Sequence, residues 1–210
     1  QTDPTRHYPL LLFNDGQDLP ATQLALTLET LYFLQVIPPL IVVGVYAGAG
    51  RQQEYGAIRQ ADYKGRGKKA PKYRDYILHE LLPHLRKKWR LSTAPQENGI
   101  AGFSLGGLSA LDIAWAHPEV FGLAGVFSGS LWWRSSAIDP ADPDADRIMH
   151  DVIAQTPGLH PSDQRFWFQA ATNDETEDRN NNGIIDAIDD TLQLIEILKI
   201  RGFTDQQIAY

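Results

Sequence analysis

The stretch that most constrains this chain is Gly102-Phe103-Ser104-Leu105-Gly106-Gly107, a G-x-S-x-G motif with one further glycine. The apolar run Asn98-Gly99-Ile100-Ala101 precedes it, and Leu108, Leu111 and Trp115 follow at spacings of three and four. Strand, sharp turn and helix form the context in which a serine is lifted above a sheet edge as a nucleophile. The glycines leave room where a Cβ would meet the neighbouring strand or helix. The Leu105 amide is then expected at a helix N-terminus, where it can help hold an oxyanion. A chance match in a glycine-rich loop is the alternative, and the flanking strand and helix weigh against it.

Around this turn the chain alternates short apolar runs with helical patterns. Tyr8 to Phe13 reads as a strand ending in Asn14-Asp15-Gly16-Gln17. Residues 21 to 34 read as a helix stopped by Pro38-Pro39. Leu40 to Tyr46 (LIVVGVY) reads as a central strand buried on both faces. Residues 72 to 90 read as an amphipathic helix in which Pro83 forces a bend or an unpaired carbonyl. Gly122 to Ser128 and Phe166 to Ala171 are further strands, Leu192 to Arg201 is a helix closed by Gly202, and Gln207 to Tyr210 starts a last strand. Strands and helices in this order predict one α/β domain over residues 1–210, with a mostly parallel sheet covered on both faces.

The net charge of -7 argues against nucleic acid as a partner. The basic cluster Lys64 to Lys72 is broken by glycines and reads as a solvated loop. No cysteine is present, so disulfides and thiolate metal sites are excluded. No apolar run approaches the ~18 residues of a membrane span. The chain begins at Gln1 rather than Met, which suggests a processed or excerpted sequence.

In open parallel sheets, function gathers at the carboxyl ends of strands. Ser104, Asp174 and the turn Asp15-Gly16-Gln17 all follow strands. A serine needs a base and a carboxylate to orient it, in the chain order serine, acid, histidine for this type of fold. Asp174 fits the acid, with Glu175 as fallback. It could also simply cap a turn.

The residues named so far, with the stretches YPLLLFNDGQ, IVVGVY, Arg51 with Glu54-Tyr55, ADYKGRG, GFSLGGLSAL, AHPEVFG and SGSLWW, resemble the Putative esterase family of α/β-hydrolases. That group takes in esterase D, enterochelin esterases and feruloyl or acetyl carbohydrate esterases. The resemblance covers nearly the whole chain. It implies the α/β-hydrolase fold, Ser104 as nucleophile and Asp174 as acid. It also implies an oxyanion hole from the Leu105 amide and an amide of the Gly16-Gln17 turn. The substrate it implies is a small ester or acylated carbohydrate, with no organic cofactor. The family places its catalytic histidine after the last strand, whereas His7, His79, His84, His117, His150 and His160 all precede Asp174. A chain lacking its natural C-terminus would account for this. A non-catalytic binding protein is the rival reading, and a peptidase or acyltransferase on the same fold is a third.

Trp132 and Trp133 follow a strand on the Ser104 side and could line a pocket or pack in the core. Arg51 could also line the cleft. Separately, residues 178–189 (DRNNNGIIDAID) have the spacing of an EF-hand loop. Asp178, Asn180, Asn182, Ile184 (through its carbonyl), Asp186 and Asp189 are the candidate calcium ligands, with aspartate where glutamate is usual at the last position. Such an ion would be structural and would stiffen the loop carrying Asp174. Calcium would also tilt localisation toward the periplasm or exterior. An Asn/Asp/Gly loop that caps the next helix is the alternative. Neither the ester nor the oligomeric state is legible.

Overall fold

A computed structural model describes residues 6–157 and 163–210. Six strands form one sheet: β1 Leu10–Asn14, β2 Ile41–Val45, β3 Asn98–Phe103, β4 Leu123–Phe127, β5 Arg165–Gln169 and β6 Ile208–Ala209. Their order is β2-β1-β3-β4-β5-β6, and all five pairings are parallel. The order therefore reverses at β1, and every carboxyl end lies along the same sheet edge. The helices are α1 Leu24–Phe33, α2 Arg51–Glu54, α3 Ala70–Asp75, α4 Leu82–Lys88, α5 Leu105–Ala116, α6 Ile148–Gln155 and α7 Asp186–Ile200.

One sheet face carries the main core. Leu12, Ile100, Val126 and Phe168 pack there with Leu108 and Leu111 of α5. Helix α5 is buried along its length, from Leu105 to Trp115. The other face carries Phe13, Phe103 and Phe127, whose rings lie 5.1–6.1 Å apart. It has a groove of about 770 Å³, bordered by Leu24 of α1 and by Leu11, Ala101 and Trp167. Coverage of the two faces is thus unequal among the described residues, and Trp167 is 55% exposed.

Two expectations need correction. The Leu40 to Tyr46 run is not central: β2 is the end strand of this sheet, and Ile41 to Gly44 are only partly buried. Continuous β-branched sequence marks a parallel strand but does not distinguish edge from centre. The last helix starts at Asp186, inside the Asp/Asn-rich segment, rather than at Leu192. Its end is as expected. Gly202 has φ 96°, and the Gly202 and Phe203 amides close on the Lys199 and Leu198 carbonyls.

Pro83 acts as its chemistry requires. The chain widens into a π-helical turn over Tyr76–Leu81 between α3 and α4. Proline has no N–H to give, and its ring crowds the carbonyl four residues back, so the turn loosens.

Helix α5 also buries a carboxyl. Asp112 accepts the Ile58 amide at 2.6 Å, and Ser109 accepts the Gly56 amide at 2.9 Å. Together they tie the segment after α2 to α5. Burial pushes the Asp112 carboxyl from 3.8 up to about 7, against the pull of the Ile58 amide. The folded state therefore holds this proton more tightly than the unfolded chain, so ionising Asp112 opposes folding above about pH 4, and fully above about pH 7. We predict that Asp112→Asn gains stability relative to the unsubstituted protein as pH rises through that window. Denaturant unfolding of both proteins at several pH values checks this, and a pH-independent difference would exclude it.

Candidate active site

Ser104 sits between the last residue of β3 and the first of α5. Its backbone has φ 53° and ψ -121°, outside the regions a residue with a side chain ordinarily occupies. The surroundings hold it there. The Ser104 amide donates to the Phe127 carbonyl at 3.0 Å, and the Ser104 carbonyl accepts the amides of Leu108 and Ser130. The glycines make the reversal possible. A Cβ on Gly102 would lie 2.5 Å from the Gly106 carbonyl carbon, and one on Gly107 would lie 2.8 Å from the Gly102 oxygen. Ser104 is exposed at the top of this turn. Its Oγ lies 3.1 Å from the Oγ of buried Ser130. The Leu105 amide belongs to the first turn of α5, whose amides have no partner within the helix.

The loop after β1 lies against the same turn. Asn14 donates through Nδ2 to the Gly106 carbonyl at 2.7 Å and accepts from the Tyr73 hydroxyl. Asp15 has φ 57° and ψ 48°, a left-handed conformation, and is 2% exposed. Its carboxylate takes two bonds from Arg51, Nε to Oδ1 at 2.7 Å and Nη2 to Oδ2 at 2.8 Å. Its amide donates to the Tyr55 hydroxyl at 3.0 Å. Burial pushes the Tyr55 phenol up to about 12, so it stays protonated. Gly16 and Gln17 open the 3₁₀ turn that follows. A Cβ on Gly16 would fall 2.4 Å from the Gly44 carbonyl carbon, so this turn rests directly on the β2 backbone. Gln17 is held through its side chain, which accepts the Ala47 amide and donates to Asp15.

Arg51, expected at the cleft wall, is thus engaged by Asp15, although a third of its side chain is exposed. Trp133 is corrected more sharply. It is 0% exposed and belongs to the core, with its ring edge against Gly56 and Gly67. Trp132 is half-buried beside it, and the Arg66 guanidinium lies over both rings at 5.2 and 4.7 Å. Of the pair, only Trp132 presents surface.

Asp174 follows β5 on an exposed turn, and its carboxylate accepts the Ala171 amide at 2.8 Å. It does cap its turn, and among the described residues no histidine approaches it. His7, His79 and His84 are exposed. His117 ends α5, at the far end from Ser104, and pairs with Glu119 at 3.0 Å. His150 bonds through Nε2 to the Asp190 carbonyl at 2.9 Å. Burial and the nearby Arg147 charge press its pKa down to about 3, so it is neutral and donates that bond. His160 lies outside the described residues. Among the described histidines, none hydrogen-bonds Ser104.

The segment after Asp174 is organised by a cation of the chain itself. Arg179 pairs with Asp144 at 2.6 Å, Asp186 at 3.1 Å and the buried Asp190, which Arg147 also meets. The loop carrying Asp178 is thereby fastened to the β4–α6 connection. Asp178 accepts the amides of Asn182 and Gly183, while Asn180 and Asn182 both donate to Asp189. Asp186, expected as a calcium ligand, also accepts the Arg179 amide at 3.0 Å. Ile184 is exposed on the turn. Among the described residues no group of three or more His, Cys, Asp or Glu side chains is placed to hold a metal ion, so the calcium expectation finds no support in this geometry.

Sequence reasoning missed the Asp15–Arg51 pair, the Tyr55 and Tyr73 hydroxyls beneath it, and Ser130. Only Ser130 had a local signal, the SGS run after β4.

Known proteins agree with this picture of the fold. A chain solved as the enterobactin esterase FES from Shigella flexneri superposes with a TM-score of 0.71 at 20% identity, covering 96% of this chain and 46% of that one. A ferulic acid esterase superposes at 0.68 and 17% identity, covering 99% and 77%. The chain thus spans under half of the enterobactin esterase it resembles. In sequence it is 26% identical to the uncharacterized protein YbbA of Bacillus subtilis (strain 168), over 96% of this chain and 75% of that one. It is 28% identical to an endo-1,4-beta-xylanase/feruloyl esterase of Xylanibacter ruminicola, over 50% of this chain and 13% of that one. No described helix is long and apolar enough to cross a membrane. The sequence pattern of the family described as Putative esterase matches residues 1–210, and the chain belongs to that family.

Proposed function

We propose that the protein hydrolyses a carboxylic ester of a small molecule or acylated carbohydrate through an acyl-enzyme on Ser104. The observation that carries this reading is the backbone of Ser104, held at φ 53° and ψ -121° on the exposed junction of β3 and α5. Such a conformation persists only where its surroundings enforce it, and it aims the hydroxyl outward. The serine oxygen attacks the ester carbonyl as its proton passes to a base, which returns it to the departing alkoxide. The Leu105 amide and an amide of the Gly16-Gln17 turn would receive the developing negative charge. The alcohol then leaves, and water releases the acid. Family membership and the esterase names of the structural and sequence relatives support the reaction class.

Asp174 is the acid in this reading, on its position after β5. The base is a group other than the described histidines. The second reading, a ligand-binding protein on a hydrolase fold, is favoured by one observation: the side-chain partner of Ser104 is Ser130. Calcium in the Asp178–Asp189 loop remains a proposal that rests on ligand spacing alone.

Three outcomes are expected. Ser104→Ala abolishes hydrolysis of a short activated aryl ester, and saturable turnover surviving the substitution refutes the acyl-enzyme. His150→Gln leaves the pH profile of Ser104-dependent kcat/KM in place while lowering Tm, because that imidazole is buried and neutral; a displaced profile would make His150 part of the chemistry. On the spacing proposal, millimolar calcium raises Tm and Asp178→Ala removes the rise. No rise in the unsubstituted protein ends that proposal.

A further inference from the structure

Three loops meet beneath Ser104, and one ion pair joins them. Asp15 follows β1, Arg51 opens α2 after β2, and Gly106 belongs to the elbow after β3. The Asp15 carboxylate is 2% exposed and is gripped at both oxygens by Arg51. Its Oδ2 lies 2.8 Å from the point where a Cβ on Gly106 would sit, so the carboxylate touches the elbow backbone itself. Asp15 is also left-handed, a conformation that aspartate and asparagine adopt more readily than most residues with a side chain. Two backbone contacts keep it so. Its amide donates to Tyr55, and its carbonyl accepts the Asp18 amide at 2.9 Å. The residues immediately after it are Gly16 and Gln17.

A buried carboxylate is costly unless paired, and a bidentate guanidinium is the partner that satisfies both oxygens at fixed angles. Arg51 is itself placed by its backbone amide, which donates to the Gly48 carbonyl, and by the Tyr55 ring, 5.2 Å from its guanidinium carbon. A hydrophobic filler would keep the turn packed but would not fix its rotation relative to the elbow.

We propose that Asp15 and Arg51 are positioning residues that set the Gly16-Gln17 amides at the distance from Ser104 needed to hold the oxyanion. This rests on the acyl-enzyme reading of Ser104. Neither residue touches substrate. Both act through the backbone that Asp15 shares with Gly16. Displacing oxyanion donors by about an ångström weakens transition-state binding far more than ground-state binding. The loss therefore falls on kcat.

The test uses the full chain, with an activated aryl ester and its thionoester, in which sulfur replaces the carbonyl oxygen. Sulfur is a poorer hydrogen-bond acceptor, so the ester-to-thionoester ratio of kcat/KM reports on the oxyanion donors themselves. Arg51→Gln is expected to lower ester kcat about 10- to 100-fold with KM within about threefold, and to shrink the ratio. Arg51→Lys, which keeps the charge but not the fork, recovers part of both. Asp15→Asn combined with Arg51→Gln is no worse than the poorer single variant, because the two act as one unit.

If Arg51→Gln does not fold, Arg51→Lys alone decides the matter through its ratio. A folded Arg51 variant with unchanged kcat and unchanged ratio, while turnover still depends on Ser104, overturns the positioning role and leaves the serine reading standing. Turnover that survives Ser104→Ala, or none that depends on it, overturns both.

Discussion

The site depends on the reversal of strand order at β1. With β2 on one side and β3 on the other, connections leaving β1 and β3 diverge at the carboxyl edge and open a crevice between them. Polar backbone ends would be stranded there without partners. The chain fills the crevice with Asn14, Asp15, Tyr55 and Tyr73, each bonded to backbone or to another of the set. Gly16, Gly102 and Gly106 have no Cβ because each meets another segment at the same place. Topology, local composition and the outward aim of Ser104 are in this sense one arrangement.

A second polar centre works differently. Around Asp190, Arg147 and Arg179 supply positive charge to carboxylates from the β4–α6 and β5–α7 connections. Burial alone would push the Asp190 carboxyl up, and the two guanidiniums oppose that. Breaking one member of such a set leaves an uncompensated buried charge, at a cost of about 3–5 kcal/mol. The loop bearing Asp174 is thereby anchored at its base, while Asp174 itself stays on an exposed turn. Arg179 ties Asp186, near the end of the 178–189 loop, to Asp144 and Asp190.

What the sequence revealed follows from the range of each interaction. The elbow was legible because its constraints are local: glycines at fixed offsets, an apolar run before, a helical pattern after. The strand count, the parallel sheet and the Gly202 stop were legible for the same reason. The Asp15–Arg51 pair was not, because its partners lie 36 residues apart and nothing in either neighbourhood names the other. Trp133 and Trp132 are adjacent, and only the packing of Gly56 and Gly67 against one ring decides which is core. The place of β2 at the end of the sheet also escaped the pattern, since an apolar parallel strand reads alike at edge and centre.

The strained backbone of Ser104 carries a consequence for how such a protein varies. Its conformation stores strain that a glycine at the same position would release. A serine-to-glycine exchange there sets release of that strain against the greater entropy that glycine gives the unfolded chain. Where that balance favours glycine, selection for abundance or heat resistance alone would remove the serine and keep the fold, the other glycines and the ion pair. A relative with an intact sheet and an altered elbow residue is the form that relaxed selection would leave behind.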